Sequence, residues 1–91
     1  MGREAVIGEL RAALEAALAP TALEIIDDSA RHAGHEGARG GGHFRVTLVA
    51  EAFRGRSALE RHRLVYAAVA PLLQGAVHAL NISAHTADEV H

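Results

Sequence analysis

Residues 53–66 read Phe-Arg-Gly-Arg-Ser-Ala-Leu-Glu-Arg-His-Arg-Leu-Val-Tyr, and this stretch decides the fold. Gly55 marks a turn, and the spacing of Ser57 and Glu60 is that of a capping box, so we expect a helix to begin at Ser57. Pro71 removes a backbone donor and predicts a kink or an end to this helix. One face of the helix is predicted to carry Leu59, Tyr66, Val69 and Leu73.

Strand patterns lie on both sides of this helix. Residues 77–84 predict a strand with Leu80 and Ile82 on one face. Residues 43–51 alternate between apolar and polar side chains and predict a strand with one face on a core. The apolar face of the strand is expected to carry Phe44, Val46, Leu48 and Ala50.

The N-terminal part of the chain adds a helix and a further strand. Apolar residues recur at three- and four-residue intervals over residues 3–18, and Pro20 cannot continue that helix. Residues 22–28 predict a strand whose inner face is ambiguous, and the glycine-rich residues 30–42 predict a mobile loop. A short last helix could start within residues 86–89.

The order helix, strand, strand, helix, strand predicts an α+β fold. Two adjacent strands joined by a loop can pair antiparallel, and a third strand that arrives after a helical crossover can pair in parallel. We therefore expect a three-stranded mixed sheet with two helices on one face, in αββαβ order. Ninety-one residues make one small domain, residues 1–91.

Composition narrows the possible functions. The chain has no cysteine, which excludes disulfides and a thiolate nucleophile and fits a cytoplasmic location. No apolar run reaches membrane-spanning length, and a net charge of −2 gives no general attraction to nucleic acid. Because no catalytic set or phosphate loop is evident, we expect a protein that is not an enzyme.

Seven histidines are unusual in so short a chain. His32 and His35 lie three residues apart in the glycine-rich loop, and His78 lies near the start of the third strand, where strand periodicity puts it on the face of Leu80. Neutral imidazole is a good ligand for zinc and iron, so a loop histidine and His78 could meet at a metal. The alternative is a packed, hydrogen-bonded His78 with solvated loop histidines. His62 has a simpler interpretation as a structural or partner-contact residue.

Four arginines gather around the turn before the second helix. They lie close in sequence to a single carboxylate, Glu60, and to the positive end of the helix dipole. Such a patch can contact DNA phosphates or an acidic partner, or it can be a solvated charged turn. These residues are Arg54, Arg56, Arg61 and Arg63.

Several motifs together resemble the BolA family. They are the Phe-x-Gly turn at residues 53–55, Arg-His-Arg at residues 61–63 and Val-His-Ala-Leu at residues 77–80, preceded by residues 23–32 and 43–46. The resemblance covers nearly the whole chain and implies an arrangement similar to the type II KH fold. The Gly-x-x-Gly loop by which KH domains clamp nucleic acid is absent, because residues 54–57 read Arg-Gly-Arg-Ser.

This resemblance implies a function for the histidines. BolA proteins pair with monothiol glutaredoxins and share a 2Fe–2S cluster, in roles described as iron–sulfur assembly, trafficking or iron regulation. The family's invariant ligand corresponds to His78, and the second ligand corresponds to His32, with His35 a close competitor. The partner would supply thiolates from its active-site cysteine and from glutathione, so we expect no cluster in the isolated chain.

The same family implies an alternative function. BolA proteins are also described as DNA-binding transcriptional regulators, and the region from Arg54 to Arg63 would then contact DNA. Arg61, His62 and Arg63 belong to the family signature but not to the cluster site, so they are expected to contact DNA or a protein partner.

Overall fold

Two α-helices and three strands follow one another in the order helix, strand, strand, helix, strand. The computed structural model describes residues 3–27, 42–74 and 77–90. No helix in these ranges is both long enough and apolar enough to cross a membrane. The elements are α1 (Arg3–Leu18), β1 (Ala22–Asp27), β2 (Gly42–Val49), α2 (Ala58–Val69) and β3 (Val77–His85), with short 3₁₀ helices at Glu51–Phe53, Ala70–Gln74 and Ala87–Glu89.

The three strands form one mixed sheet in the order β1-β2-β3. β1 pairs antiparallel with β2, so that Ile25 lies opposite Val46. β2 pairs in parallel with β3, so that Val46 also lies beside Ile82. The predicted α+β class, element order and strand directions are therefore confirmed.

The core lies between one face of the sheet and the two helices. In β2 the predicted apolar face is buried, with Phe44 3% exposed and Val46 and Leu48 fully buried. Burial also settles the ambiguous face of β1, because Leu23 is half-buried and packs on the core while Ile26 is 40% exposed. The buried apolar residues are Leu10, Leu14, Leu18, Phe44, Val46, Leu48, Ala50, Phe53, Val65, Val69, Leu80 and Ile82.

The start and end of α2 follow from local chemistry. The Ser57 hydroxyl accepts a hydrogen bond from the backbone N–H of Glu60 at 3.1 Å, and the Glu60 carboxylate accepts one from the Ser57 N–H at 2.9 Å. This reciprocal pair is the predicted capping box. α2 ends at Val69, and the chain continues as a 3₁₀ helix that contains Pro71, as that residue predicts.

The face of α2 that was predicted to carry Leu59, Tyr66, Val69 and Leu73 is only partly buried. Leu59 is 59% exposed and Tyr66 is 40% exposed, whereas Val65 is fully buried. At 100° per residue, Leu59 and Tyr66 lie roughly 100–120° around the helix from Val65. The stripe that meets the sheet is centred on Val65 and Val69 and includes Leu64, Ala68 and Leu72.

The predicted end of β2 also shifts. β2 ends at Val49, two residues earlier than expected, because a 3₁₀ helix begins at Glu51. Ala50 keeps an extended backbone and donates a hydrogen bond from its N–H to the His85 carbonyl at 2.9 Å. The predicted loop, except for Gly42, lies outside the described residues, so its mobility stays a prediction.

We expect Val65→Ala and Leu59→Ala to separate the buried and exposed faces of α2. Val65→Ala should lower the free energy of unfolding by roughly 2 kcal/mol, because it leaves a cavity in the core. Leu59→Ala should change it by less than about 0.5 kcal/mol, because that side chain is mostly in solvent. Urea unfolding followed by circular dichroism measures both, and equal losses would contradict this assignment of the faces.

Candidate functional site

One end of the sheet holds both ends of the segment that carries the predicted loop ligands, together with the start of β3. The chain leaves the sheet at Asp27 and re-enters it at Gly42, and Gly42 lies beside Val77 at the start of β3. His32 and His35 belong to the segment between Asp27 and Gly42 but lie outside the described residues, so their role as ligands stays a prediction. The sheet therefore puts Gly42 beside the start of β3, while Asp27 lies at the same end of the sheet on the other side of β2.

His78 lies at an irregularity in the sheet. Gly42 pairs with Val77 and His43 pairs with Ala79, so the register shifts and His78 has no partner residue in β2. A β-bulge of this kind changes the direction of a strand locally and is frequent next to functional sites. The shift interrupts the regular alternation from which the face of His78 was predicted. The side chain of His78 itself lies outside the described part of the structure.

A groove lies beside this irregularity, between α2 and β3. It has a volume of about 440 Å³, and both His43 and His62 line it. The Tyr66 hydroxyl donates a hydrogen bond to the Leu80 carbonyl at 3.2 Å, which ties α2 to β3 at the groove. The full lining consists of His43, Phe44, His62, Tyr66, Ala79, Leu80, Asn81 and Ile82.

Sequence reasoning found only part of this groove. His62 was expected to contact a partner, and its exposed position on the groove is compatible with that role. His43 was taken as a simple strand-start residue, and Tyr66 was taken as part of the apolar face of α2. The available signal was the hydroxyl of Tyr66, since a phenol near a core needs a polar partner.

Arg61 is held by hydrogen bonds at the opposite end of the sheet. Its Nε donates to the Arg56 carbonyl at 3.0 Å, and one terminal nitrogen donates to the Ala84 carbonyl at 3.0 Å. Both terminal nitrogens also contact the Glu89 carboxylate, at 2.7 Å and 3.0 Å. With its side chain only 14% exposed, Arg61 connects α2, β3 and the last turn of the described chain.

Arg54 also pairs with carboxylates. It contacts Glu51 on the preceding 3₁₀ helix and Asp88 near the end of the chain, with Asp88 contacts of 3.1 Å and 3.4 Å. Arg56 donates from Nε to the Ala52 carbonyl at 3.1 Å and is exposed, and Arg63 is exposed on α2. Arg54 and Arg61 are thus paired with carboxylates, whereas Arg56 and Arg63 form no salt bridge with the residues that the structure describes.

The arginine surface, defined as Arg54, Arg56, Arg61 and Arg63, is balanced by nearby carboxylates in the folded chain. Besides Glu60, which caps α2, folding brings Glu51, Asp88 and Glu89 to these residues. Four formal positive charges therefore face four formal negative ones. Only Glu60 was placed against these arginines from the sequence; Glu51, three residues before Arg54, was missed, and Asp88 and Glu89 lie 34 and 28 residues from their arginine partners.

Hydrogen bonds within the acidic turn, residues 86–89, keep its carboxyl groups ionised. The pKa of Asp88 is lowered to about 2, first by the Thr86 hydroxyl, which donates at 2.7 Å, and then by Arg54. The pKa of Glu89 is lowered to about 2, first by Arg61 and then by the Thr86 N–H. The pKa of Arg61 is raised by Glu89, and the pKa of Arg54 is raised first by Glu51 and then by Asp88.

Most of the chain matches a known protein family. The family described as BolA-like protein matches residues 14–89. The chain belongs to the BolA family. BolA-like protein 1 of Homo sapiens is 49% identical to it over 77 residues, which cover 85% of this chain and 55% of the human protein.

Further BolA relatives agree with this assignment. The DNA-binding transcriptional regulator BolA of Escherichia coli (strain K12) is 39% identical over 89 residues, covering 98% of this chain and 79% of that protein. The structure is similar to the BolA domain of SufE1 from Arabidopsis thaliana, with a TM-score of 0.81, 40% identity and 99% of both chains covered. The chain spans about half the length of BolA-like protein 1, of which it covers 55%. These names are those of BolA-like proteins and a regulator rather than of enzymes.

We expect Glu89→Gln to change the acid sensitivity of this BolA domain. The pKa of Glu89 in the folded chain, about 2, is below its ordinary value of 4.5. The stabilisation from the ionised carboxylate is therefore complete above about pH 4.5 and is lost as the pH falls towards 2. The urea midpoint of the variant should be lower than that of the native chain at pH 7, and the two should converge near pH 2.

The matched control is Glu9→Gln, which removes one exposed carboxylate from α1. A pH-dependent difference of the same size in this control would show that net charge, rather than the contact with Arg61, causes the effect.

Proposed function

We propose that this BolA-family chain is a non-enzymatic partner of a monothiol glutaredoxin and shares a 2Fe–2S cluster with it. The proposal places the chain in iron–sulfur cluster assembly, trafficking or iron regulation. The observation that carries it is the meeting of Gly42 and Val77 at one end of the sheet, next to the unpaired position of His78. The segment that holds His32 and His35 ends at Gly42, so this sheet end offers candidate ligands from two parts of the chain.

The types of ligand available support a shared cluster. Iron–sulfur clusters usually require thiolates, and this chain has no cysteine. Within the described ranges, no group of three or more His, Asp or Glu residues could hold a metal ion. In the proposal, His78 and either His32 or His35 supply imidazole ligands, while the partner's cysteine and glutathione supply thiolates. Histidine ligands raise the potential of such a centre relative to one with only thiolates.

The exposed face of α2, which runs from the opposite end of the sheet towards the groove, has features of a partner interface. Leu59, His62, Arg63 and Tyr66 form an exposed stripe along α2. Tyrosine and arginine are enriched at the cores of protein interfaces. The stripe borders the groove through His62 and Tyr66, so a partner that reaches His78 could also contact α2. In the proposal, His62 contributes to partner binding and not to the cluster. A cytoplasmic location, which the absence of cysteine favours, belongs to the same proposal.

We expect His78→Ala to abolish or strongly alter the shared cluster while leaving the fold intact. His62→Ala is the matched control, since it removes an imidazole that lines the groove and should keep the cluster spectrum. Co-expression of each variant with a monothiol glutaredoxin, followed by visible absorption and circular dichroism of the purified complex, measures both. A normal spectrum with His78→Ala and a lost spectrum with His62→Ala would mean that the wrong histidine is assigned.

The loop histidines can be tested in the same assay. His32→Ala should alter the spectrum less than His78→Ala, because His35 can replace it from a glycine-rich segment. The double variant of His32 and His35 should approach the effect of losing His78. A double variant with an unaltered spectrum would exclude both residues as ligands.

A second candidate function is DNA binding of the transcriptional-regulator type. The observation that favours it is the Escherichia coli relative, whose name is that of a DNA-binding transcriptional regulator. In this chain the candidate contacts are the arginine surface and His62. Because carboxylates pair with Arg54 and Arg61, the phosphate contacts would rest first on the exposed Arg56 and Arg63. Because carboxylates balance the charge of the arginine surface, we expect DNA binding to be weak at moderate salt.

Replacing Arg56 and Arg63 with Ala should weaken any DNA binding and reduce its salt slope by up to about two. Fluorescence anisotropy with a duplex of about 20 base pairs at several salt concentrations measures the slope. Arg11→Ala, an exposed arginine on α1, gives the effect of one lost charge elsewhere. An unchanged affinity and slope would remove Arg56 and Arg63 from the DNA-binding hypothesis.

A further inference from the structure

The acidic turn lies on the arginine surface in the way that a bound anion would. Glu89 takes two guanidinium contacts from Arg61, and Asp88 takes two from Arg54. Two consecutive carboxylates thus occupy two arginines seven positions apart in the sequence. Guanidinium groups recognise carboxylate and phosphate oxygens through this same two-pronged geometry. The contacts therefore indicate that the arginine surface can bind carboxylate or phosphate groups.

The ion pair of Arg61 with Glu89 is more buried than the ion pair of Arg54 with Asp88. Arg61 is largely buried and also holds the backbone carbonyls of Arg56 and Ala84. Arg54 and Asp88 have side chains that are 52% and 64% exposed, and exposed ion pairs contribute little to stability. The Asp88 carboxylate can therefore leave Arg54 without the loss of core packing.

The acidic turn is anchored by Thr86, whose hydroxyl and N–H donate hydrogen bonds to the carboxylates of Asp88 and Glu89 at 2.7 Å and 3.0 Å. Thr86 is 1% exposed, whereas Ala87, Asp88 and Glu89 are all exposed. The backbone link within the turn is a hydrogen bond from the Glu89 N–H to the Thr86 carbonyl at 3.1 Å. Because each carboxylate accepts a hydrogen bond from Thr86 as well as from an arginine, an incoming anion has to replace the arginine contacts without breaking the bonds to the buried Thr86.

We propose that Asp88 and Glu89 form an intramolecular cover on an anion-recognition surface built from Arg54 and Arg61, and that phosphate groups of a nucleic-acid backbone take their place. This proposal rests on the second candidate function. With the cover in place, the arginine surface has no net charge. Without Asp88 and Glu89, the four arginines face only Glu51 and Glu60, which leaves an excess of two positive charges.

A polyanion fits this surface better than a single small anion. Arg56 is exposed in the turn before α2, and its carbonyl accepts the hydrogen bond from Arg61 Nε, so it adds charge beside Arg61. Arg63 follows Arg61 by two residues and lies about 200° around the helix from it. Because a nucleic-acid backbone presents phosphates at regular short spacing, it can contact Arg54, Arg56 and Arg61 together.

The test uses the double variant Asp88→Asn with Glu89→Gln, which removes both charges but keeps the shapes of the side chains. With a labelled duplex of about 20 base pairs, the variant should bind roughly ten-fold more tightly than the native chain at low salt, with a salt slope steeper by up to about two. The matched control, Glu9→Gln with Glu15→Gln, makes the same change in net charge on the exposed side of α1. Equal gains in the two variants would overturn the proposal, because net charge alone would then explain them.

Two further measurements separate the possible outcomes. The double variant Asp88→Asn with Glu89→Gln is called the uncovered variant. Adding Arg54→Ala to it should remove most of its gain in DNA affinity, and a retained gain would overturn the role of Arg54. Oligoglutamate of matched charge should bind the uncovered variant more weakly than DNA. Tighter binding of the peptide would replace nucleic acid with an acidic protein segment as the ligand and overturn the proposal as stated.

The native chain provides a check that does not depend on any variant. In a DNA titration followed by NMR, the amide signals of Asp88 and Glu89 should shift together with those of Arg54. Binding that moves only Arg56 and Arg63 would leave DNA binding intact but overturn the cover. If neither the native chain nor the uncovered variant binds DNA, both the cover and the second candidate function fail.

Discussion

Parallel pairing between β2 and β3 is the constraint on which the rest of this structure depends. A parallel partner cannot be reached by a tight hairpin, so the chain has to cross from one end of the sheet to the other between Val49 and Val77. α2 makes that crossing and packs beside α1 over the core. The same pairing joins the starts of β2 and β3 at one end of the sheet and their C-terminal ends at the other. It thereby separates a histidine-bearing end, with His43 and His78, from a charged end that holds Arg61 and the acidic turn.

At the charged end, Arg61 has a structural role that its sequence neighbours do not suggest. It lies near the N-terminus of α2, where a positive charge opposes the helix dipole. The carboxylates of Glu60 and Glu89 offset that cost, since one caps the helix and the other pairs with the guanidinium. The backbone carbonyls of Arg56 and Ala84 complete its surroundings. A residue that resembles a surface cation in the sequence therefore helps to fasten the last described turn to the body of the domain.

Local chemistry made most of the fold predictable from the sequence. Ser57, Glu60 and Pro71 act on their immediate neighbours, so the start and end of α2 could be inferred correctly. The inner face of α2 was harder, because Tyr66 and Val65 are both compatible with a core and only packing against the sheet distinguishes them. Folding also brought Asp88 and Glu89 to their arginines over long separations, which no local pattern reveals. For the candidate site, the family motif pointed to His78, but the register shift beside it depends on the pairing of two strands.

The contacts that α2 makes with β3 also bear on how this domain avoids aggregation. β3 lies at the edge of the described sheet, and an edge strand of nine residues can template the addition of another chain. The Tyr66 hydroxyl and the Arg61 guanidinium already bind the carbonyls of Leu80 and Ala84, four residues apart along that strand. An incoming strand would have to displace both. The helix that carries the chain across the sheet thus also shields its exposed edge, and this protection fails if α2 moves away from β3.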